Sequence, residues 1–400
     1  MTKTIALVVP ALENTGGVTS VARFVMRTIL DRTDYRLKLV SLATAMRDPD
    51  SLLITDPRSW FRGVRTSKGV FHGQPFTHVG ARFAEIETQR LRPRAELMAE
   101  LSDVDLVQLV CGSPSWGAAL IGCKVPVCIQ AATLIAVERK KRDAELVGRS
   151  APWKRLMTRA VTRLETPAMR HAACVQVENG WMFDHASKVT EVAGTHVTYG
   201  YPGVDVEVFH PAPERPQGPG YILAVGRMAD PRKNVMLLLD AYTKVHSEMA
   251  NPPRLVIAGA SGPGDEFMEA VRARGLADRV EVHLKLDQPE LAALFRGARA
   301  FALTSTEEGF GVTLIEAMAS GTPPVSTRSG GPDEIIADGE DGFLAGLDDA
   351  ETIAARLRTL VDDDALNARM SRAARAKVEA RYSTDVAGQA FLDSYARILE

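Results

Sequence analysis

The sequence predicts an α/β architecture of two doubly wound, parallel-sheet domains in series, facing each other across a cleft. Three observations carry that expectation. A chain of 400 residues exceeds what one core usually serves and suits two domains of about 200 residues each. Short apolar runs alternate with helical patterns of roughly 10–20 residues, the rhythm of a parallel sheet wrapped by helices. That rhythm runs once, halts at a stretch rich in Pro and Gly over residues 211–220, and starts again.

The first strand is expected at residues 5–9. Its apolar run resembles the core of a leader peptide, but it enters a Gly16-Gly17 turn and an amphipathic pattern over 18–30, which suits a strand and its helix better. Further strands fit 37–42, 105–110, 125–129 and 174–177, with a second long helix over 82–101. Past the Pro-rich stretch, strands fit 221–225, 254–257, 280–284, 300–303 and 324–326. Helices there fit 235–249, 265–274, 289–298, 312–319 and 351–360, and a last one over 385–399 follows a break at Tyr382-Ser383. The expected division is 1–205, 206–380 and a closing helix within 381–400. Ligands of such sheets sit beyond the carboxyl ends of the strands, so functional residues are sought in the loops that follow strands.

Hydrophobic residues make up 46% and charged residues 24% of the chain, the balance of an ordinary globular protein. No apolar run reaches the roughly 18 residues of a membrane span. Cys111, Cys123, Cys128 and Cys174 show no zinc or redox spacing, so reduced thiols in a cytoplasmic protein, at most peripheral to the inner face of a membrane, are expected. Residues 1–200 carry 27 Lys and Arg against 19 Asp and Glu, a charge of +8, and residues 201–400 carry 21 against 31, a charge of −10. A basic half fits an anionic acceptor, a membrane surface or plain solubility. It lacks the aromatic-rich strands of a nucleic-acid binder, so no nucleic-acid partner is expected.

The stretch FALTSTEEGFGVTLIEAMASGTPPVSTRSGGPDEI, from Phe301 onward, is the most informative part of the chain. A buried strand delivers the chain into the loop Glu307-Glu308-Gly309-Phe310-Gly311, and a helix follows. Backbone N–H groups at that helix start, those of Phe310, Gly311 and Val312, suit an anion. Glu308 in the loop and Glu316, eight residues on and inside the helix, accept hydrogen bonds from hydroxyls rather than bind phosphate. Phosphate donors flanked by hydroxyl acceptors describe a sugar-nucleotide pocket. A second loop, Gly226-Arg227-Met228-Ala229-Asp230-Pro231-Arg232-Lys233-Asn234, follows another strand. Its Arg227 fork and Lys233 point charge suit a diphosphate that gains negative charge as it leaves.

Taken together, these blocks resemble the E-x7-E and G-R-x-x-x-x-K regions of the family 4 retaining glycosyltransferases, proteins of the GT-B fold. The stretch Tyr201-Pro202-Gly203-Val204-Asp205 to Pro211 is similar to the one that opens the second domain in that family, and there it shapes a hinge. The turn Asn14-Thr15-Gly16-Gly17 is similar to the family's first glycine loop. The resemblance implies that Arg227 and Lys233 hold the nucleotide diphosphate and that Glu308 serves the transferred sugar. It further implies that Glu316 binds the ribose, and that Gly16 and Gly17 lie near the donor. It implies a nucleoside-diphosphate sugar as co-substrate, with UDP the expected nucleotide, transfer to an acceptor hydroxyl with retention, and no metal or other cofactor. The acceptor is a small molecule, a glycan or a lipid-linked glycan, and a non-catalytic GT-B partner subunit is the alternative.

One departure stands out. The family's His after the fifth strand of the first domain is absent from Pro126-Val127-Cys128-Ile129-Gln130-Ala131-Ala132-Thr133, and Gln130 or Thr133 is expected to take part of its place. Asp48-Pro49-Asp50 and Asp103-Val104-Asp105 mimic a metal motif of another glycosyltransferase fold but are too short to carry weight. Over residues 153–164, Trp153, Leu156, Met157, Ala160, Val161 and Leu164 share a helix face opposite Lys154, Arg155, Arg159 and Arg163. A core-packed helix with a solvated basic face is the favoured reading and a membrane surface the less favoured one.

Overall fold

The computed structural model describes residues 2–10, 12, 16–213 and 218–400, with the backbone alone for Lys141 and Glu145. Asn14 and Thr15 of the first glycine loop, and 214–217 of the Pro-rich stretch, lie outside the described residues. The chain forms two compact units, one of residues up to Pro202 together with Ala387–Glu400, the other of Gly203–Val386.

The first unit is built on β1 (Thr4–Pro10), β2 (Arg36–Leu42), β3 (Thr66–Phe71), β4 (Gln74–Val79), β5 (Leu106–Cys111), β6 (Val127–Ala131), β7 (Cys174–Val177) and β8 (His196–Tyr199). They pair in the order β3-β4-β2-β1-β5-β6-β7-β8, all parallel except the antiparallel β3–β4 pair. The central strands β1 and β5 are largely apolar, the buried Gln108 of β5 aside, because both faces are covered. On one face lie Val21, Val25 and Ile29 of the helix Gly17–Arg32, joined by Phe391 and Tyr395 of the last helix, Thr384–Leu399. Phe24 meets Phe391 edge-on at 5.8 Å.

The second unit carries β9 (Tyr221–Val225), β10 (Arg254–Gly259), β11 (Val280–Leu284), β12 (Ala300–Leu303), β13 (Pro324–Thr327) and β14 (Phe343–Ala345). Its sheet is wholly parallel in the order β11-β10-β9-β12-β13-β14. The winding direction reverses between β9 and β12, which makes that place the switch point where doubly wound sheets bind ligands. The core joins Ile222, Leu238, Tyr242, Ile257, Phe267 and Leu357 among others.

Several elements differ from the sequence expectation. The predicted helix over 82–101 is two short helices, Glu87–Arg90 and Ala95–Glu100. Pro93 ends the first, and Arg94 is extended (φ −148°, ψ 148°) as the cap of the second. The hairpin β3–β4 was not expected, because β3 is an exposed edge strand with no apolar alternation. Its turn, His72-Gly73 with φ of 47° and 81°, is a left-handed pair of the kind that closes two-residue hairpins. The helix Asp364–Arg381 also lay hidden, since it buries only a narrow stripe of Asn367, Met370, Ser371, Ala374 and Val378.

The Pro-rich stretch lies within the second unit rather than between the units. Upstream of it, Val204 exchanges backbone hydrogen bonds with Tyr382 and Thr384, and Arg375 donates to the carbonyls of Val206 and Phe209. Phe209 packs against Phe295 at 5.9 Å. The chain is therefore fastened to the second unit well before residue 211.

Candidate functional site

The loops that follow β9 and β12 meet at the switch point. After β9, Pro231–Lys233 forms a single 3-10 turn capped by the Asp230 carboxylate, which accepts from the Arg232 N–H at 3.0 Å. That turn aims successive side chains at the loop after β12. Arg232 Nη1 donates to Glu307 at 3.0 Å, and Lys233 Nζ donates to Glu308 at 2.6 Å. Backbone ties fix the two loops side by side: Thr306 N–H to the Arg232 carbonyl at 2.8 Å, and Thr304 Oγ1 to the Lys233 carbonyl at 3.0 Å.

The third loop closes on the second. Glu308 N–H donates to Ser329 and Gly331 N–H donates to the Glu308 carbonyl, each at 2.8 Å. Approach is so close that a β-carbon on Gly331 would lie 2.2 Å from the Phe310 carbonyl oxygen, which only glycine avoids. Gly311, at φ 106°, caps the helix Val312–Ala319 in the left-handed region. Having no side chain, Gly311 contributes no side-chain acceptor to the first turn of the helix. Phe310 is a buried ring, edge-on to Tyr382 at 5.6 Å, so only its backbone can serve a ligand. Glu316 stands half-buried one turn along the helix.

The charges are arranged as neighbours of opposite sign. Arg227 is half-exposed and its Nη2 lies 3.5 Å from the Asp230 carboxylate, while Lys233 and Glu308 are mostly enclosed. Burial works to raise the Asp230 carboxyl, yet the Arg232 guanidinium, with Arg227 beyond it, holds it below the usual carboxylate range. The site holds its cations in cation–carboxylate pairs, and an arriving anion would compete with carboxylates for Lys233 and Arg227.

Of the residues read from the sequence, Arg227, Lys233, Glu308, Glu316, Phe310, Gly311 and Val312 fall on this one edge of the second sheet. Asp230, Arg232, Ser305 and Glu307 were missed. Ser305 Oγ donates to Glu308 at 3.1 Å. The Asp-Pro-Arg sequence was the available signal for a capped turn. Asp205 serves its own turn, accepting from the N–H groups of Glu207 and Val208. Among the described residues no group of three His, Cys, Asp or Glu is placed to hold a metal ion.

In the first unit, Gly16 caps the helix that begins at Gly17, and Thr19 Oγ1 returns to the Gly16 carbonyl at 2.9 Å. Gln130 is buried and donates to Glu178 at 2.5 Å, so its amide is committed inside the sheet. Thr133 Oγ1 is buried at the end of β6 with no partner among the described residues. Below that edge, Ser113 Oγ and Ile135 N–H both donate to the buried Glu165 carboxylate, at 2.7 and 2.8 Å. Burial raises the Glu165 pKa above the usual glutamate value, against the pull of those donors.

Residues 205–377 match the family model of glycosyl transferases group 1. The matched region is the second unit almost entire. The chain is 34% identical over 219 residues to a D-inositol 3-phosphate glycosyltransferase of Streptomyces avermitilis, an alignment covering 50% of this chain and 46% of that protein. It is 28% identical over 260 residues to a glycogen synthase of Mycobacterium tuberculosis, covering 62% and 60% respectively. The chain thus spans about half the length of the curated relatives it matches. Among solved structures, sucrose-phosphate synthase from Thermosynechococcus elongatus superposes with a TM-score of 0.71 at 19% identity, covering 99% of this chain and 98% of that one. HepE from Anabaena, solved in complex with UDP and glucose, gives 0.69 at 16% identity, covering 99% and 100%. These likenesses show the fold: two parallel-sheet α/β domains of the GT-B class.

Proposed function

We propose that this chain is a nucleotide-sugar-dependent glycosyltransferase, metal-independent and retaining, with its donor site at the β9/β12 switch point. The observation that carries the reading is the convergence of Arg227, Lys233 and the glycine-capped start of the helix Val312–Ala319 beside Glu308 and Glu316. Two cations and a helix amino terminus meet a diphosphate, and two carboxylates meet hydroxyls. UDP is the expected nucleotide, and the HepE complexes with UDP support that choice by fold alone.

In this reading the bond from the sugar's anomeric carbon to the diphosphate oxygen breaks, and the acceptor oxygen bonds to that carbon on the same face. The acceptor proton passes to the departing phosphate. Arg227 and Lys233 stabilise the charge gathering on the leaving group, a task that calls for no metal when two cations and a helix terminus share it. Glu308 orients the sugar, and Glu316 the ribose. Gly16 and Gly17 are assigned to the donor on the resemblance of their loop. With Gln130 committed to Glu178, Thr133 is the residue that stands in for the family's His. The acceptor is a small molecule, a glycan or a lipid-linked glycan.

Calorimetry with UDP, GDP, ADP and dTDP, on the natural chain and on Lys233→Ala, tests the proposal. Tight binding of one diphosphate, weakened at least about tenfold by the substitution, is expected from loss of one charge-assisted contact. No binding by any of the four would put the non-catalytic partner subunit in its place.

A further inference from the structure

The first unit bears an exposed surface whose chemistry the donor site does not use. Three chain segments rise from the carboxyl ends of parallel strands: residues 43–65 after β2, 80–104 after β4 and 132–173 after β6. They are joined to one another. Glu87 pairs with Arg139, and Leu91 packs with Ile135 and Val161.

This surface is apolar and basic at once. On the short helix Pro57–Arg62, Phe61 is 93% exposed and Trp60 55%. Trp60 is held in that pose by its Nε1 bond to the Leu53 carbonyl at 2.7 Å and by edge contact with Phe83. On the helix Ala151–Thr162, the buried residues are Ala151, Thr158 and Val161. Trp153 and Leu156, expected to pack into the core, are 55% and 50% exposed, and nearby Val147 is 87% exposed. The helix turns its small residues inward because Leu91 and Ile135 already fill the space beneath it.

The charges around these side chains have one sign. Among the described residues of 43–84 and of 136–164, every exposed charged side chain is Lys or Arg. The acids of the first segment are buried or engaged: Asp48 with His78, Asp50 with Arg65 and Ser67, and Asp56 with the turn it caps and with Arg62. Arg62, Arg65 and Arg142 pair with Asp56, Asp50 and Asp143, but the exposed cations outnumber these acids. Aromatic and aliphatic tips set in such a basic field complement an anionic bilayer, where the tips enter the headgroup boundary and the cations meet phosphate. A nucleic acid would use the cations and rings but leave Val147 and Leu156 in water.

We propose that this edge of the first unit adsorbs to membranes rich in anionic lipid, through Trp60 and Phe61 on one segment and Trp153 and Leu156 on the other. The test is co-sedimentation of the full chain with phosphatidylcholine vesicles, with and without phosphatidylglycerol. Two double variants, Trp60→Ser with Phe61→Ser and Trp153→Ser with Leu156→Ser, are compared, each checked for an unchanged thermal midpoint and unchanged UDP binding. Binding only to the phosphatidylglycerol vesicles is expected, weakened about tenfold or more by each double variant, and weakened by added salt. Equal binding to both vesicle types, or none, overturns the proposal, as does retention by both variants. A dimer that the variants convert to monomer, without vesicle binding, would assign the surface to a second copy. Stronger retention by single-stranded RNA than by the vesicles would assign it to nucleic acid. Because the readout is adsorption and not turnover, its failure is separable from failure of the donor-site reading.

Discussion

At the carboxyl edge of β9 and β12, the loops are joined by ion pairs, Lys233 to Glu308 and Arg232 to Glu307. At the carboxyl edge of β5, β6 and β7, they are joined by neutral donors sunk onto buried carboxylates, Ser113 and Ile135 onto Glu165 and Gln130 onto Glu178. The topology of the two edges is alike, yet the chemistry differs. A cation held by a carboxylate at the rim of a site can exchange that anion for a phosphate when a ligand arrives, since one charge-assisted bond replaces another. Buried carboxylates cannot, since a donor lost there leaves the charge unpaired. The second unit's edge is thus suited to binding, and this network in the first unit to holding loops in shape.

Substitution at the ion pair should have the largest effect and should fall on activity. Lys233→Ala or Glu308→Ala is expected to lower turnover by about 10²–10³-fold, roughly 2.7–4 kcal/mol of transition-state stabilisation, with a smaller change in stability. Initial rates with a UDP-sugar would measure it, and a loss confined to thermal stability would break the contrast. The buried network should answer the other way. Glu165→Ala strands two donors and is expected to cost about 2–4 kcal/mol in urea unfolding. Backbone closeness gives a third handle, because Gly331→Ala drives a β-carbon into the Phe310 carbonyl. Overpacking of that kind costs about 1–3 kcal/mol and should lower the thermal midpoint. Asp205→Ala removes one turn cap and should cost about 1 kcal/mol.

The finest comparison is in pH. Asp230 has its folded pKa below the usual 3.8, so its stabilisation is complete above that value and is lost as the pH falls through the folded pKa. Glu165 has its folded pKa above the usual 4.5; its charged form is penalised by burial, and acidification from neutrality relieves the penalty until the pH passes below 4.5. Mild acid should therefore strengthen the first network, and stronger acid should weaken the second. Hydrogen exchange of Ile135 N–H and Arg232 N–H across that range reads both. Glu165→Gln should flatten the first profile and Asp230→Asn the second, and matching slopes in the two would show that the networks are not distinct.

The second unit was largely legible before its structure. Strands 221–225, 280–284 and 300–303 and the helix Val312–Ala319 coincide with the elements found. Buried parallel strands and the helices between them write themselves as uninterrupted apolar runs bounded by glycine. Arg227, Lys233, Glu308 and Glu316 could be named because the loops after those strands, and the helix that follows one of them, carry motifs that resemble a known family's. The first unit was less legible. The edge strand β3 is polar and exposed, and the helix over 82–101 hid a proline break.

Local pattern in this chain determined the alternation of strand and helix, the glycines where backbones crowd, and the loop residues of the second sheet. Only tertiary structure decided partners. That Lys233 faces Glu308 across 75 positions of chain, that Gln130 turns to Glu178, and that Trp153 looks outward depend on which surfaces are already filled by residues distant in sequence. Helical periodicity fixes which side chains share a face, and packing alone determines whether that face meets protein or solvent.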